Sequence, residues 1–125
     1  MAKKLHFYRC PICHSMVDLV YDEGHSLHCC GTEMQLLKPR TADERDANHE
    51  IVLTHRGDLL YVKVGSKPHP QSVDHQITTI FLVTKHHTRR HDIRKGTPAS
   101  AVFTDTDHGD VYAYCNKEGL FKVSF

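Results

Sequence analysis

Apolar positions along this chain come in short runs broken by turn residues, with no repeat and no stretch of helical period. From residue 49 onward the runs read as strands. "EIVLTHRGDLLYVKVG" sets two of them around Arg56-Gly57-Asp58, which predicts a hairpin. "HQITTIFLVTK" is rich in β-branched residues, and "SAVFTDT", "DVYAYCN" and "LFKVSF" continue in short segments. Gly65, Pro68, Pro70, Gly96, Pro98, Gly109 and Gly119 supply the punctuation. Strands this short, with turn signals every 8–12 residues or so, predict an antiparallel sandwich.

Residues 1–37 follow another pattern. "CPIC" precedes "LVYDEGHSLHCCGTEM", a glycine-containing turn between two short extended runs. A piece this small cannot bury a sufficient core and needs a staple, which a metal can supply. Residues 38–48, "KPRTADERDAN", are polar with no apolar period and read as a linker or exposed loop. The chain is thus predicted to be all-β: a small domain over 1–37, a linker over 38–48 and a sandwich over 49–125.

Composition narrows the function classes. Hydrophobic content of 39% and charged content of 25% describe a globular protein, and a net charge of +1 gives no strong overall field for nucleic acid or a membrane surface. No apolar run approaches the roughly 20 residues that span a bilayer. "MAKKLHFYRC" has lysines but no apolar stretch after them, unlike a signal peptide, so the expected compartment is the cytoplasm. Thiols stay reduced there, and clustered cysteines serve as metal ligands more often than as disulfides. Twelve histidines are many for 125 residues, but number alone identifies no site.

Cys10 and Cys13 make a C-x2-C pair, and Cys29 and Cys30 follow after a gap of fifteen residues. The first pair and the gap match tetrahedral thiolate sites; the second pair is adjacent instead of two apart. Neighbouring side chains of a strand diverge, so both reach one ion only if the backbone bends, and Gly31 is a flexible neighbour for that bend. A four-sulfur tetrahedron with one widened angle is expected. Iron and zinc both suit such a donor set.

Other candidates are far apart in the chain. His69 lies between Pro68 and Pro70, which restrict its backbone and pre-orient its ring. His75 follows six residues later, just before a strand, and His49 begins the first strand of the body. Cys115, in "YAYCNKEGLF", is either an unpaired core thiol or a ligand awaiting distant partners. Spacing does not choose.

The order "CPIC…HCCG…NH…KVGSKPHP…DH…YCN" resembles the desulfoferrodoxins, two-iron superoxide reductases, over nearly the whole chain. "IRKGTPASAVF" is similar to that family's connecting segment. The resemblance implies a desulforedoxin-like (rubredoxin-like) N-terminal domain holding Fe(Cys)4, then an immunoglobulin-like antiparallel β-sandwich. In the family the sandwich carries a mononuclear iron with four equatorial histidines, one axial cysteine and an open position for superoxide. Carried over, His49, His69 and His75 match equatorial ligands and Cys115 the axial one. Superoxide would be reduced to hydrogen peroxide, with the Fe(Cys)4 centre as an electron relay, a rubredoxin-like donor and a homodimeric assembly.

The chain departs from the family at three positions. The fourth family histidine, in Cys-Asn-x-His-Gly, is replaced by Glu118, and the usual Glu-Lys-His at the first ligand reads Ala47-Asn48-His49. Two readings stay open. Glu118 coordinates in place of the histidine, with Lys67 or Lys117 replacing the missing lysine. Or Glu118 points to solvent and the second site is degenerate or zinc-loaded, making the protein a non-catalytic metalloprotein or electron carrier. A third, weaker rival has the altered pocket bind another small anion. His108 is the stray histidine able to substitute for the missing ligand.

"KHHTRRHDIRK", residues 85–95, is basic but comes without a recognition fold or aromatic platform for nucleic acid. It reads as a solvated hairpin, or as a surface for an acidic electron donor or for anion steering. Its histidines, His86, His87 and His91, are poor ligand candidates. His14 and His28 abut the thiolates and shape their surroundings or face solvent.

Overall fold

Strands of two or three residues build the N-terminal unit, and strands of five to seven build the larger one. The computed structural model describes residues 6–41, 46–65, 70–72 and 74–125. They belong to two units, Lys4–Lys38 and Pro39–Phe125.

In the smaller unit β1 (Phe7–Arg9) is the middle of an antiparallel sheet, with β2 (Met16–Asp18) on one side and β5 (Gln35–Leu36) on the other. A separate hairpin pairs β3 (His28–Cys29) with β4 (Thr32–Glu33). Phe7, Cys10 and Met34 are buried, while Ile12, Val17, Val20, Tyr21 and Leu36 are exposed. Among the described residues little apolar surface is buried, the condition under which a small unit gains most from a metal staple.

Among the described residues the larger unit is a seven-stranded antiparallel sandwich. One sheet runs β10 (Ser100–Thr104), β7 (Leu59–Val64), β6 (Ile51–Arg56); the other runs β12 (Gly119–Ser124), β11 (Asp110–Cys115), β8 (Ile77–Val83), β9 (Thr88–Asp92). The period-two pattern points Leu60, Val62 and Val64 of β7 and Ala101 and Phe103 of β10 inward. They meet Ile77, Ile80 and Leu82 of β8, Val111, Ala113 and Cys115 of β11, and Phe121 in one core cluster. Strand β11 is buried without interruption from Val111 to Cys115, as a covered central strand should be.

The predicted turn joins β6 to β7 through Gly57 and Asp58, with Gly57 at φ +59°. The basic stretch forms the arm of the β8–β9 hairpin, and β9 is exposed throughout at the sheet edge. Charges on such an edge discourage pairing with another chain. No α-helix occurs among the described residues, and no helix is long and apolar enough to cross a membrane.

Candidate metal centres

A tight turn and a bent hairpin gather the first donor set. The N–H of His14 donates to the carbonyl of Cys10 at 3.0 Å and that of Cys10 to the carbonyl of Ser15 at 2.9 Å, closing the turn that carries Cys13. At the other pair the backbone enters the left-handed region, with Cys30 at φ +53° and Gly31 at φ +72°. This is the bend two adjacent cysteines require, and glycine makes its second half inexpensive.

The four sulfurs lie within 4.8 Å of one another. Cys13 and Cys29 are 3.6 Å apart and Cys29 and Cys30 are 3.9 Å apart. A tetrahedron with metal–sulfur bonds of about 2.3 Å has edges of about 3.8 Å, so the donor set fits one tetrahedral ion. The N–H groups of Ile12 and Cys13 both point at Cys10 Sγ, each at 3.4 Å, as donors that stabilise a thiolate.

Charge is unevenly shared in this cluster. The Ser15 hydroxyl, 3.1 Å from Cys13 Sγ, holds the Cys13 thiol down to about 6, and the Cys13 N–H lowers Cys10. Cys29 is pushed up to about 12, first because its thiol donates to Cys13, and Cys30 is raised by the same neighbour. The bare cluster therefore prefers charge on Cys10 and Cys13 and protons on Cys29 and Cys30. A bound ion must expel those protons.

The second donor set draws on three separate parts of the sandwich. Ligand atoms of His49, His75 and Cys115 all lie within 4.8 Å of one another. Donors bound at 2.0–2.3 Å cannot be more than about 4.5 Å apart across one ion, so the group is close to the span a single metal bridges. Cys115 is fully buried and belongs to the core cluster. Burial pushes its thiol up; the N–H groups of Lys117 and Glu118 oppose that, the latter 3.4 Å from Sγ. A buried sulfur with N–H donors aimed at it and two imidazoles alongside suits a thiolate ligand.

Each member is held from outside the group. His49 follows a turn in which its N–H donates to the Asp46 carbonyl at 3.0 Å, and its Nδ1 is 2.6 Å from Asp46 Oδ1. That contact holds the ring and leaves Nε2 as the nitrogen available to a metal, the usual arrangement for a carboxylate-supported histidine ligand. The ring also stacks on Phe121, with centroids 4.5 Å apart and planes inclined by 13°. His75 is placed by a reciprocal clamp one residue on: Gln76 N–H donates to Asn116 Oδ1 at 2.9 Å, and Asn116 N–H donates to the Gln76 carbonyl at 3.1 Å.

A bulge makes that clamp. Tyr114 pairs with Thr79, but Cys115 pairs with Ile77, so Thr78 is extra on β8. A three-residue loop then turns the chain, with Gly119 at φ +96° re-entering β12.

Glu118 is exposed and stands outside the convergent group, although its charge raises the Cys115 thiol. Lys117 is exposed on the same loop. His69 and Lys67 lie outside the described residues. His108 is at the wrong end of the sandwich to replace a ligand. Asp110, two residues on, pairs with Val83, whereas Cys115 pairs with Ile77, and the strand between them is about 17 Å long. His108 instead shares a surface cavity with His86 and His87. Sequence reasoning missed Asp46, Gln76, Phe121 and Arg40, which lies in the stretch read as a linker. Asp46 alone carried a local signal, its i,i+3 spacing to His49.

Comparison with known proteins agrees with this geometry. The family model described as Desulfoferrodoxin matches residues 42–124. A desulfoferrodoxin homologue of Archaeoglobus fulgidus is 33% identical over 123 residues, covering 98% of each chain. The desulfoferrodoxin of Syntrophotalea carbinolica is 34% identical over 122 residues and 97% of each chain. The crystal structure of a superoxide reductase from Treponema pallidum shares the fold, with a TM-score of 0.78 at 22% identity over 96% of this chain and 98% of that one. Matched along nearly its full length and carrying the four-sulfur cluster at its N-terminal end, the chain belongs to the desulfoferrodoxin family, in the two-domain form.

Proposed function

We propose that the protein is a non-haem iron superoxide reductase whose reaction takes place at the His49–His75–Cys115 centre. One observation carries the reading: donor atoms from three distant segments converge within 4.8 Å beside a buried sulfur. A merely structural core thiol has no need of two imidazoles. In this reading His69 and Glu118 complete the ligand set. Ferrous iron held there would supply the one electron that, with two protons, turns superoxide into hydrogen peroxide. Cys115 would act as the electron-donating ligand, its sulfur steadied by the N–H of Glu118. Asp46 keeps His49 in register, and the Gln76–Asn116 clamp holds His75 beside the sulfur.

The sulfur cluster of Cys10, Cys13, Cys29 and Cys30 would hold a second iron and relay electrons from a rubredoxin-like donor. Cys13 and Cys30 are exposed, which favours transfer to it across a protein surface. Lys117 and Lys67 are proposed as cations that attract superoxide. The exposed Ile12, Val20 and Tyr21 support pairing of two copies in a cytoplasmic homodimer.

A second reading makes the protein a non-catalytic metalloprotein or electron carrier, its sandwich site closed around zinc. It is favoured by the exposed position of Glu118 outside the donor group. The test is to load the protein with iron, reduce it and mix it with superoxide in a rapid-kinetics experiment. Oxidation of the ferrous centre at about 10⁸–10⁹ M⁻¹s⁻¹, giving peroxide without oxygen, is expected. An iron-replete centre that superoxide does not oxidise overturns the proposal and leaves the second reading.

A further inference from the structure

Arg40 is fastened to both sides of the second centre. Its backbone forms a parallel bridge with Phe121: the Arg40 N–H donates to the Leu120 carbonyl, and the Lys122 N–H donates to the Arg40 carbonyl, both at 2.9 Å. Its guanidinium lies 4.7 Å from the centroid of the Phe121 ring, the ring on which His49 stacks. The same guanidinium donates to the carbonyl of Glu118, whose N–H reaches Cys115 Sγ. One side chain thus touches the ring packed against one ligand and the loop that covers another.

The charge balance gives this placement a consequence. A thiolate at Cys115 and the carboxylate of Glu118 make the site negative, which repels an arriving anion. The guanidinium offsets that, and its field lowers the Cys115 thiol while that of Glu118 raises it. It cannot lose its proton at any working pH. Lys122, on the same strand as Phe121, is paired with Asp110 at 3.6 Å. Arg40 is exposed, whereas Cys115 is fully buried, so the guanidinium is open to an anion in solvent.

We propose that Arg40 is the positioning residue for small inorganic anions at the His49–His75–Cys115 centre, supplying the fixed positive charge that draws them to the bound metal. Naming that anion superoxide rests on the functional reading above; the role of the charge does not.

The experiment titrates azide into protein loaded with cobalt(II), followed by the thiolate-to-metal absorption, for the parent, Arg40→Gln and Arg40→Lys at low and high salt. Glutamine keeps a donor for the Glu118 carbonyl and removes the charge; lysine keeps the charge. The azide dissociation constant should rise roughly tenfold in Arg40→Gln and stay near the parent value in Arg40→Lys, and the salt dependence should be weaker in Arg40→Gln than in the parent. Equal affinity in the parent and Arg40→Gln, equal loss in both variants, or no azide binding by the parent overturns the proposal. If azide affinity follows the charge while iron-loaded parent is inert to superoxide, the functional reading falls and the role of Arg40 stands. Fast superoxide oxidation with azide binding indifferent to Arg40 is the reverse result.

Discussion

In the N-terminal unit the four sulfurs come from one turn and one hairpin, while in the sandwich the donors come from the lead-in to β6, the lead-in to β8 and the end of β11. The first group is closed by local hydrogen bonds around Cys10 and by the bend at Cys30 and Gly31. The second exists because two sheets share a core of Leu60, Val62, Ile80, Leu82 and Val111, at one end of which Cys115 is buried. The first unit buries so little apolar surface that an ion on its sulfurs should contribute much of its folding energy. The other offers an ion a site that the fold has already made.

Metal removal should separate the two most strongly. Structural thiolate sites contribute folding energy on the order of 10 kcal/mol, far more than Phe7 and Met34 can replace. Chelation should therefore release the amides of β1 to fast hydrogen exchange while β7, β8 and β11 stay protected. Protected β1 amides in metal-free protein would break the contrast.

Cys115→Ser comes next in size. The sulfur-to-metal absorption of the second centre should disappear with the first centre's spectrum unchanged. A hydroxyl in the fully buried position should cost the sandwich about 1–3 kcal/mol by denaturant titration. Asp46→Asn removes the negative partner of His49 at nearly constant shape, so metal competition at the second centre should show affinity reduced about 10–100-fold, with the first centre unaffected.

Asn116→Ala leaves the Gln76 N–H without its acceptor; stability should fall by about 1 kcal/mol, with a several-fold loss of metal affinity at the second centre. His108→Ala should change neither centre in a metal titration, because β11 separates it from Cys115. A measurable loss there would mean that the site extends farther than the strand register allows.

The local features were legible. The hairpin signal around Gly57 and the punctuation at Gly119 are carried by turn residues, and the apolar runs of β7 by side chains that repeat every two residues, whatever lies beyond them. The four cysteines could be read as one site because a short chain segment limits how far they can separate. Asp46, Phe121 and Arg40 were not legible as parts of a site. Arg40 reads as one more polar residue of a linker, and only its bridge to Phe121 brings it to the centre. His108 shows the converse, a histidine near Cys115 in sequence that the strand carries away.

The sequence by itself determined the all-β character, the sulfur cluster and, through its resemblance to the desulfoferrodoxins, the histidines and cysteine to examine. Tertiary structure alone decided which of the described residues meet: the bulge at Thr78 moves Cys115 opposite Ile77, and the Gln76–Asn116 clamp holds His75 beside it. The reason is physical. Spacing along a chain constrains neighbours, whereas convergence of distant residues depends on strand register, and a shift of one residue would turn Cys115 to the other face of its sheet.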